Sequence, residues 1–510
     1  MGRYSTRICA IFTIGASPCY HPSPMPAITL ATLNARFSHA SLGLRYLFAN
    51  MAEMRDETRL LEFVIGQPPF EIAEQILAAA PRIAAFGVYI WNVEETLKIV
   101  ALLKRVRPEL IIVLGGPEVS HEGEEQEITG LADYVISGAG DLEFARLCRD
   151  LLAGKRPQAK FIAAAPPSLA QLELPYRYYT DADIAHRIVY VEASRGCPFK
   201  CEFCLSSLDK TVSPFDLTRF LAEMQQLYER GLREFKFVDR TFNLNIDACL
   251  RILDFFLERL DEKLFLHFEL IPDHLPGKLK EAILRFPAGC LQFEVGVQTF
   301  NPEVQALISR KQDIAKTEEN LRWLREHTHV HLHADLIIGL PGEDLDSFAA
   351  GFNRLVGLRP HDIQVGILKR LRGTPIIRHT RDFDLRFSPF APYNILSTDR
   401  IDFATMQRLA RFARYWEMIA NNRRFTLALP LILDSDPFGR FLRLADWLWA
   451  TTGKTHQIAL DRLFDLLFRA MNEELGVNAE QARTALSQDF ANCGARGNPA
   501  FGAPRPAKRG

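Results

Sequence analysis

The stretch SRGCPFKCEFC, residues 194–204, decides how the rest of this sequence is interpreted. It holds Cys197, Cys201 and Cys204 in the spacing C-x3-C-x2-C, directly after an apolar run at residues 188–193 that has the pattern of a buried strand. Three thiolates in one tight loop can hold three irons of a cubane and leave the fourth iron free to bind a substrate. The stretch therefore predicts a [4Fe–4S] cluster at the end of a strand.

Two other metal sites compete for these cysteines. Structural zinc is usually held by four closed ligands, often as two separated pairs. No second C-x2-C pair occurs here, and the nearest other cysteine is Cys249, so a zinc site and a closed four-cysteine ferredoxin site are both disfavoured. The remaining six of the nine cysteines stand alone, which indicates a reducing, cytoplasmic setting rather than a disulfide framework.

Strand patterns alternate with helical patterns around and after the cysteines. The six strand candidates are residues 188–193, 234–238, 264–270, 291–297, 330–338 and 363–368. Alternating strands and helices are typical of a parallel sheet, and six successive units predict a partial (β/α)6 TIM-type barrel over residues 187–376. In such barrels the chemistry lies at the C-terminal ends of the strands.

The same alternation upstream predicts an α/β domain with a doubly wound parallel sheet, which would bind ligands at the carboxyl ends of its strands. An apolar helical face that includes Phe403, Met406 and Trp416 predicts a helical C-terminal domain. The predicted organisation is a flexible leader at 1–25, the α/β domain at 26–160, a linker at 161–186, the barrel at 187–376, the helical domain at 377–490 and a disordered tail at 491–510.

Composition narrows the classes of function. The net charge is −1, so no basic excess indicates nucleic-acid binding. No stretch approaches the roughly 18 apolar residues of a membrane-spanning helix, so no membrane role is expected. A short apolar run at residues 8–14 faintly resembles a signal peptide, but its cleavage pattern is weak, and the leader interpretation is preferred.

The cysteine motif and the six-unit barrel closely resemble the radical S-adenosylmethionine (SAM) superfamily. The resemblance implies that the amino and carboxylate groups of SAM chelate the open iron. One electron from the reduced cluster then breaks the C5′–S bond and yields a 5′-deoxyadenosyl radical. It also implies an electron donor such as flavodoxin or ferredoxin and a small-molecule substrate, which the sequence does not name.

Two strand ends supply candidate SAM contacts under this resemblance. Residues 335–343 look like the superfamily's G-x-I-x-G-x-x-E-type segment, so Ile338, Gly339 and Pro341 would approach the adenine. Glu294 and Gln298 share one face of the fourth strand, and Gln298 would donate to the ribose or the carboxylate. A simple strand-to-turn Pro-Gly and satisfied polar residues are the competing interpretations.

Many relatives carry a Gly-Gly-Glu-like segment after the second strand, and this sequence departs from it. Asp239 is the residue that would substitute electrostatically. On the third strand, Glu269 is an acid among apolar neighbours and is a candidate contact for SAM or substrate. A surface-facing position on a two-sided strand is the alternative for Glu269.

An α/β domain placed before such a barrel resembles the cobalamin-binding domain of class B radical SAM enzymes. The resemblance implies cobalamin, with backbone at four glycines close to its nucleotide tail and with the loop at 34–43, including Ser38 and His39, facing the corrin. The four glycines are Gly115, Gly116, Gly138 and Gly140. No D-x-H-x-x-G motif occurs, and His39 and His121 are the only conceivable cobalt ligands. Lone histidines are more often core or surface residues.

The expected function is a cobalamin-dependent radical SAM enzyme that transfers a methyl group to an unactivated carbon or performs a related rearrangement. One alternative is a radical SAM enzyme whose α/β sheet has lost cobalamin, such as a cyclase. A methylthiotransferase-like protein would usually bring a further group of cysteines for a second cluster and an RNA-binding appendage, and neither is visible in the sequence. A third possibility is a non-catalytic sensor that docks through Phe441, Trp447 and Trp449, for which ordinary core packing is the competing explanation.

Overall fold

The computed structural model describes residues 26–497 and 499–501. The predicted leader and the last residues of the predicted tail, 502–510, lie outside the described residues. Among the residues described, no helix has the length and apolar character needed to cross a bilayer.

The first unit is a six-stranded parallel sheet in the order β2-β1-β3-β4-β5-β6. Its strands are β1 Ile28–Asn34, β2 Thr58–Val64, β3 Ile83–Gly87, β4 Ile111–Gly115, β5 Tyr134–Gly138 and β6 Phe161–Ala164. Its helices are α1 Leu42–Ala49, α2 Pro69–Ala78, α3 Val93–Val106, α4 Glu127–Leu131 and α5 Glu143–Leu152. Helices α2, α3 and α4 pack on one face, and α1 and α5 pack on the other. Strands β3 and β4, at the centre of the sheet, are apolar along their whole length because both of their faces are covered.

The structure differs from the predicted linker. The first residues of that segment form β6, which pairs with β5 through Val135 and Phe161. The four residues of β6 are apolar but too few to show a period, and they run into a Pro- and Ala-rich stretch, so the pattern did not separate this edge strand from the linker. Further along, Leu172, Leu174 and Tyr176 are buried in the same core as the barrel, and helix α6 spans Asp181–His186.

The second unit confirms the predicted partial barrel. Six parallel strands follow the order β14-β13-β12-β11-β10-β7. They are β7 Val189–Val191, β10 Glu234–Phe237, β11 Phe265–Leu270, β12 Leu291–Gln298, β13 His331–Ile338 and β14 Asp362–Ile367, and a hairpin of β8 Ser194–Arg195 and β9 Ser213–Pro214 follows β7. The helices are α7 Leu217–Glu229, α8 Ile246–Leu257, α9 Gly277–Leu284, α10 Pro302–Leu307, α11 Ile314–His327 and α12 Leu345–Gly357.

The predicted helical C-terminal region is also confirmed. A hairpin of β15 Arg386–Phe387 and β16 Ile395–Ser397 precedes α13 Phe403–Trp416, a π-helical turn Glu417–Asn421, α14 Ala428–Leu433, α15 Pro437–Thr452, α16 Leu460–Glu473 and α17 Ala479–Asn492. The prediction of disorder is wrong for Phe501, which is 6% exposed and stacks on Phe468 with ring centroids 5.2 Å apart. Burial of this single large apolar residue ties down a segment whose composition otherwise favours disorder.

Candidate functional site

The three cysteines lie in the loop after β8 and line one cavity of about 170 Å³ at the C-terminal ends of the barrel strands. Cys197 and Cys201 are buried, and Cys204 is partly exposed. The loop begins at Gly196, whose φ of +91° lies in the left-handed region. A Cβ there would lie 1.7 Å from the carbonyl oxygen of Thr211, so only glycine fits this turn.

The arrangement of the thiols fits a cluster better than a single ion. Among the described residues, no group of three or more His, Cys, Asp or Glu side chains converges to hold one metal ion. The cysteines instead surround a shared cavity, and in a cubane each thiolate binds a different iron. Arg310 Nη1 lies 3.4 Å from Cys201 Sγ and opposes the effect of burial, which raises the pKa of that thiol.

Asp239 holds the strand that leads into the cysteine loop. Its Oδ2 accepts a 2.9 Å hydrogen bond from the Ala193 N–H, and its Oδ1 accepts one of 2.6 Å from the Ser194 hydroxyl. Burial raises the pKa of Asp239 to about 7. The residue is not among those lining the cysteine cavity, so this geometry does not support the predicted contact with SAM.

Two predicted acids do face the cavity, and their pKa values shift in opposite directions. Burial raises the pKa of Glu269, although Arg240, with Nη1 2.9 Å from Oε1, opposes that shift. Burial alone would also raise the pKa of Glu294. The 3.0 Å hydrogen bond with His267 and the nearby charges of His267 and His333 outweigh burial and hold that pKa at about 2. Glu294 therefore remains a carboxylate on the cavity wall.

Gln298 ends β12 on the same wall with a φ of +70°, a left-handed conformation that is uncommon outside glycine. A Cβ on Gly296 would lie 2.5 Å from Gln298 Nε2, so the absence of a side chain at Gly296 leaves room for the amide. Arg310 donates to the Gly296 carbonyl oxygen and so links this strand end to Cys201. The amide of Gln298 is available to a ligand in the cavity.

The predicted adenine segment lies elsewhere. Ile338, Gly339 and Pro341 are not among the residues that line the cysteine cavity. Gly339 has a φ of +86°, and a Cβ there would lie 2.6 Å from Ile395 Cγ2. In this structure the glycine permits close packing of the chain that follows the barrel, and its approach to adenine stays a prediction.

A second cavity, of about 340 Å³, opens at the carboxyl ends of the first sheet. All four predicted glycines line it, together with an apolar wall of Leu30, Leu44, Ala85, Val113, Ile136 and Phe144. Gly116 has a φ of +107°, and a Cβ there would lie 2.5 Å from the Val88 carbonyl oxygen. An apolar slot between bare backbone turns fits a flat heteroaromatic base with its phosphate, as in the nucleotide tail of cobalamin.

The predicted corrin-facing loop contacts the barrel instead. His39 Nδ1 lies 2.5 Å from the Tyr190 hydroxyl, and the Ser38 carbonyl oxygen accepts a 2.7 Å bond from the Ile188 N–H. Neither residue lines the second cavity, and neither does His121, whose ring lies against Gly373. The suggestion that His39 or His121 ligates cobalt is therefore not supported by their placement.

Three arginines of the two cavities escaped the sequence analysis: Arg195, Arg240 and Arg310. Arg195 belongs to the cysteine motif and Arg240 directly follows Asp239, so their places next to predicted site residues could have identified both as candidates. Arg310 lies in a polar loop between two helices and carries no periodic signal.

Three family models match successive parts of the chain. The B12 binding domain matches residues 28–148, and the radical SAM superfamily matches residues 191–354. A protein of unknown function (DUF4080) matches residues 381–502.

Three relatives are methyltransferases by name. The uncharacterized methyltransferase PH0819 of Pyrococcus horikoshii is 26% identical over 61% of this chain and 71% of its own length. The 2-(S-pantetheinyl)-carbapenam-3-carboxylate methyltransferase of Streptantibioticus cattleyicolor is 23% identical over 58% of this chain and 48% of its own length. The cobalamin-dependent radical SAM methyltransferase TokK of Streptomyces tokunonensis is 22% identical over 61% of this chain and 50% of its own length. The chain thus spans about half the length of the last two.

Solved structures share the fold. The cobalamin-dependent SAM radical enzyme OxsB superposes with a TM-score of 0.63 at 12% identity, covering 92% of this chain and 84% of that one. The radical SAM methyltransferase TsrM from Kitasatospora setae, with cobalamin and a [4Fe–4S] cluster bound, superposes with a TM-score of 0.54 at 17% identity, covering 68% and 76%. The matched domains identify an enzyme whose cofactors are a [4Fe–4S] cluster, SAM and cobalamin. The chain therefore carries a radical SAM domain preceded by a cobalamin-binding domain, which is the arrangement of class B radical SAM enzymes.

Proposed function

We propose that this enzyme transfers a methyl group to an unactivated carbon of a small-molecule substrate. The observation that carries the proposal is the adjacency of the two cavities. The glycine-lined cavity of the first sheet is closed on one side by Glu192 and Arg195, and Arg195 stands two residues before Cys197. Cofactors held in the two cavities would therefore lie close enough to act on one substrate.

When bound, the cluster supplies the electron that cleaves SAM, and cobalamin supplies the methyl group. Cys197, Cys201 and Cys204 would hold the cluster, and Arg310 would stabilise the Cys201 thiolate. The anionic Glu294 would face a cationic part of SAM, and Gln298 would donate to an oxygen. We place the reaction in the cytoplasm, where a flavodoxin- or ferredoxin-type donor would supply low-potential electrons.

The test uses reconstituted enzyme without oxygen and SAM labelled in its methyl group. With a reductant and hydroxocobalamin, wild type should form 5′-deoxyadenosine and S-adenosylhomocysteine, and Cys201→Ala should form no 5′-deoxyadenosine. Substrate pools from the source organism, followed by mass spectrometry, should then contain a labelled product with a new carbon–methyl bond. Formation of 5′-deoxyadenosine without corrin binding would instead favour a radical SAM enzyme that works without cobalamin.

A further inference from the structure

Arg195 joins the cobalamin-binding domain to the cysteine loop. Its Nη1 and Nη2 lie 3.0 and 3.1 Å from the two carboxylate oxygens of Asp141, in a bidentate ion pair. Its Nε lies 2.8 Å from Glu192, and its guanidinium stacks 4.4 Å above the ring of Tyr46. Asp141 follows the glycine turn before α5, so the contact crosses from the first unit to the second.

All four members of this contact also line the glycine-rich cavity: Tyr46, Asp141, Glu192 and Arg195. Asp141 is 7% exposed, and the ion pairs with Glu192 and Asp141 outweigh burial and raise the pKa of Arg195. A bidentate, stacked arginine has few alternative positions. A ligand in the cavity therefore touches a group whose orientation is already fixed by the structure.

The segment that carries Arg195 is held on its other side as well. Asp239 binds the Ala193 N–H and the Ser194 hydroxyl, and Gly196 leaves no space for a side chain against Thr211. The backbone between Arg195 and Cys197 therefore has little freedom to move. A displacement of Asp141 or Arg195 would therefore be passed to the first cluster ligand.

We infer that Arg195, through Asp141, is a positioning residue by which an occupied cobalamin cavity and an assembled cluster strengthen each other's binding. The inference rests on the proposed use of the glycine-lined cavity for cobalamin. Because the coupling is a binding free energy, it is reciprocal: the factor by which the cluster tightens cobalamin is the factor by which cobalamin tightens the cluster.

The first measurement titrates hydroxocobalamin into full-length protein with and without the reconstituted cluster. In wild type we expect the dissociation constant to fall by about fivefold or more when the cluster is present. In Asp141→Asn and Arg195→Lys the factor should fall below about twofold. Asp141→Glu, which keeps the carboxylate, should recover most of it. Arg146 lies on α5, just after Asp141, and its side chain is 59% exposed, so Arg146→Gln should behave as wild type.

The second measurement follows iron loss to a chelator with and without hydroxocobalamin, and needs no turnover. The corrin should slow iron loss in wild type and Arg146→Gln and leave the rate unchanged in Asp141→Asn and Arg195→Lys. The inference would be overturned if the cluster left the hydroxocobalamin dissociation constant of wild type unchanged, or if it lowered that constant in either variant as much as in wild type. Neither result would count against cobalamin binding itself. Failure of wild type to bind hydroxocobalamin would instead count against the proposed function.

Discussion

The Oε2 atom of Glu202 lies 2.8 Å from Nε2 of His379, across 177 residues of sequence. Glu202 stands between two of the cluster cysteines, and His379 ends a turn that follows the barrel. The Glu202 carboxylate also accepts from Ser309 and Arg378 and is 2% exposed. The cysteine loop is thus fastened to the chain that leads into the C-terminal domain.

Glu202→Ala should destabilise the protein by roughly 1–3 kcal/mol, because it leaves the buried ring of His379 without its hydrogen-bond partner on this carboxylate. The same change should lower the iron content although all three cysteines remain. Urea unfolding followed by tryptophan fluorescence, with an iron assay, would check both effects. Arg378→Ala is the control: this side chain is 58% exposed and its loss should cost no more than about 1 kcal/mol. Equal effects of the two changes would contradict this account of the loop.

Cys→Ser at Cys197, Cys201 or Cys204 should each remove most iron and sulfide, because a hydroxyl is a poor ligand for iron in a soft cluster. The buried Cys249 and Cys290 serve as matched controls. Their serine variants should keep the cluster and lose on the order of 1 kcal/mol of stability. Iron and sulfide counts on protein purified without oxygen decide the matter. Full cluster retention in any of the first three variants would remove that cysteine from the ligand set.

Arg310→Gln should make the reduction potential of the cluster more negative, by roughly 50 mV. Arg310 brings a positive charge and a donor to within 3.4 Å of Cys201 Sγ, and such a group favours the more negatively charged, reduced cluster. A redox titration monitored by electron paramagnetic resonance would measure the shift. Arg322→Gln, a 55% exposed arginine paired with Glu318, should leave the potential unchanged. A shift toward positive values would contradict the assignment.

Gly140→Leu should weaken hydroxocobalamin binding by about tenfold or more while the fold is kept. The new side chain would start 3.4 Å from Ile136 and 3.9 Å from Leu47, both in the wall of the glycine-lined cavity, and would occupy part of it. Gly130→Leu places the same side chain in open space on α4 and should bind as wild type. Spectral titration and circular dichroism would compare the pair, and equal affinities would show that the corrin binds elsewhere.

Asp239→Asn should flatten the fall in stability between about pH 4 and pH 7. Burial raises the pKa of Asp239 to about 7, above the roughly 3.9 of an unfolded chain, so the folded state binds the extra proton across this window. Stability from this group is therefore greatest at low pH and is lost as pH rises through the folded pKa. Relative to wild type, the variant should gain on the order of 2–4 kcal/mol between pH 4 and pH 8. The free energy of unfolding of both proteins, measured across this pH range, checks the prediction. If it changed with pH in the same way in both, the pKa of Asp239 would not be raised in the folded state.

The regular elements were largely predictable because their patterns are local. Along β12, buried and partly exposed residues alternate without interruption, so a period of two marks the strand from Leu291 to Gln298. The strand candidate at residues 330–338 agrees to within one residue with β13, His331–Ile338. The edge strand β6 was missed because its four apolar residues are too few to show a period.

Site residues were predictable only where residues next to them in the sequence form a recognisable motif with them. The three cysteines and the glycine turns meet that condition. Gly339 was recognised as a special position, but its partner Ile395 lies on a hairpin that no pattern connects to it. Arg195 and Asp141 pair across two units of the fold, so the sequence around either residue gives no sign of the other.

The buried residues from Leu172 to Phe501 form one continuous core, which unites the barrel with the C-terminal helices. Chimeras of such enzymes that exchange the C-terminal helices alone would cut through this core. Transplanting the barrel together with everything after it would keep this core except for Ala40 and Tyr46 of the first unit, and would leave the contacts with the first sheet to be rebuilt. The first sheet is therefore not freely exchangeable either: a transplant has to supply matching apolar residues where Ala40 and Tyr46 enter the core.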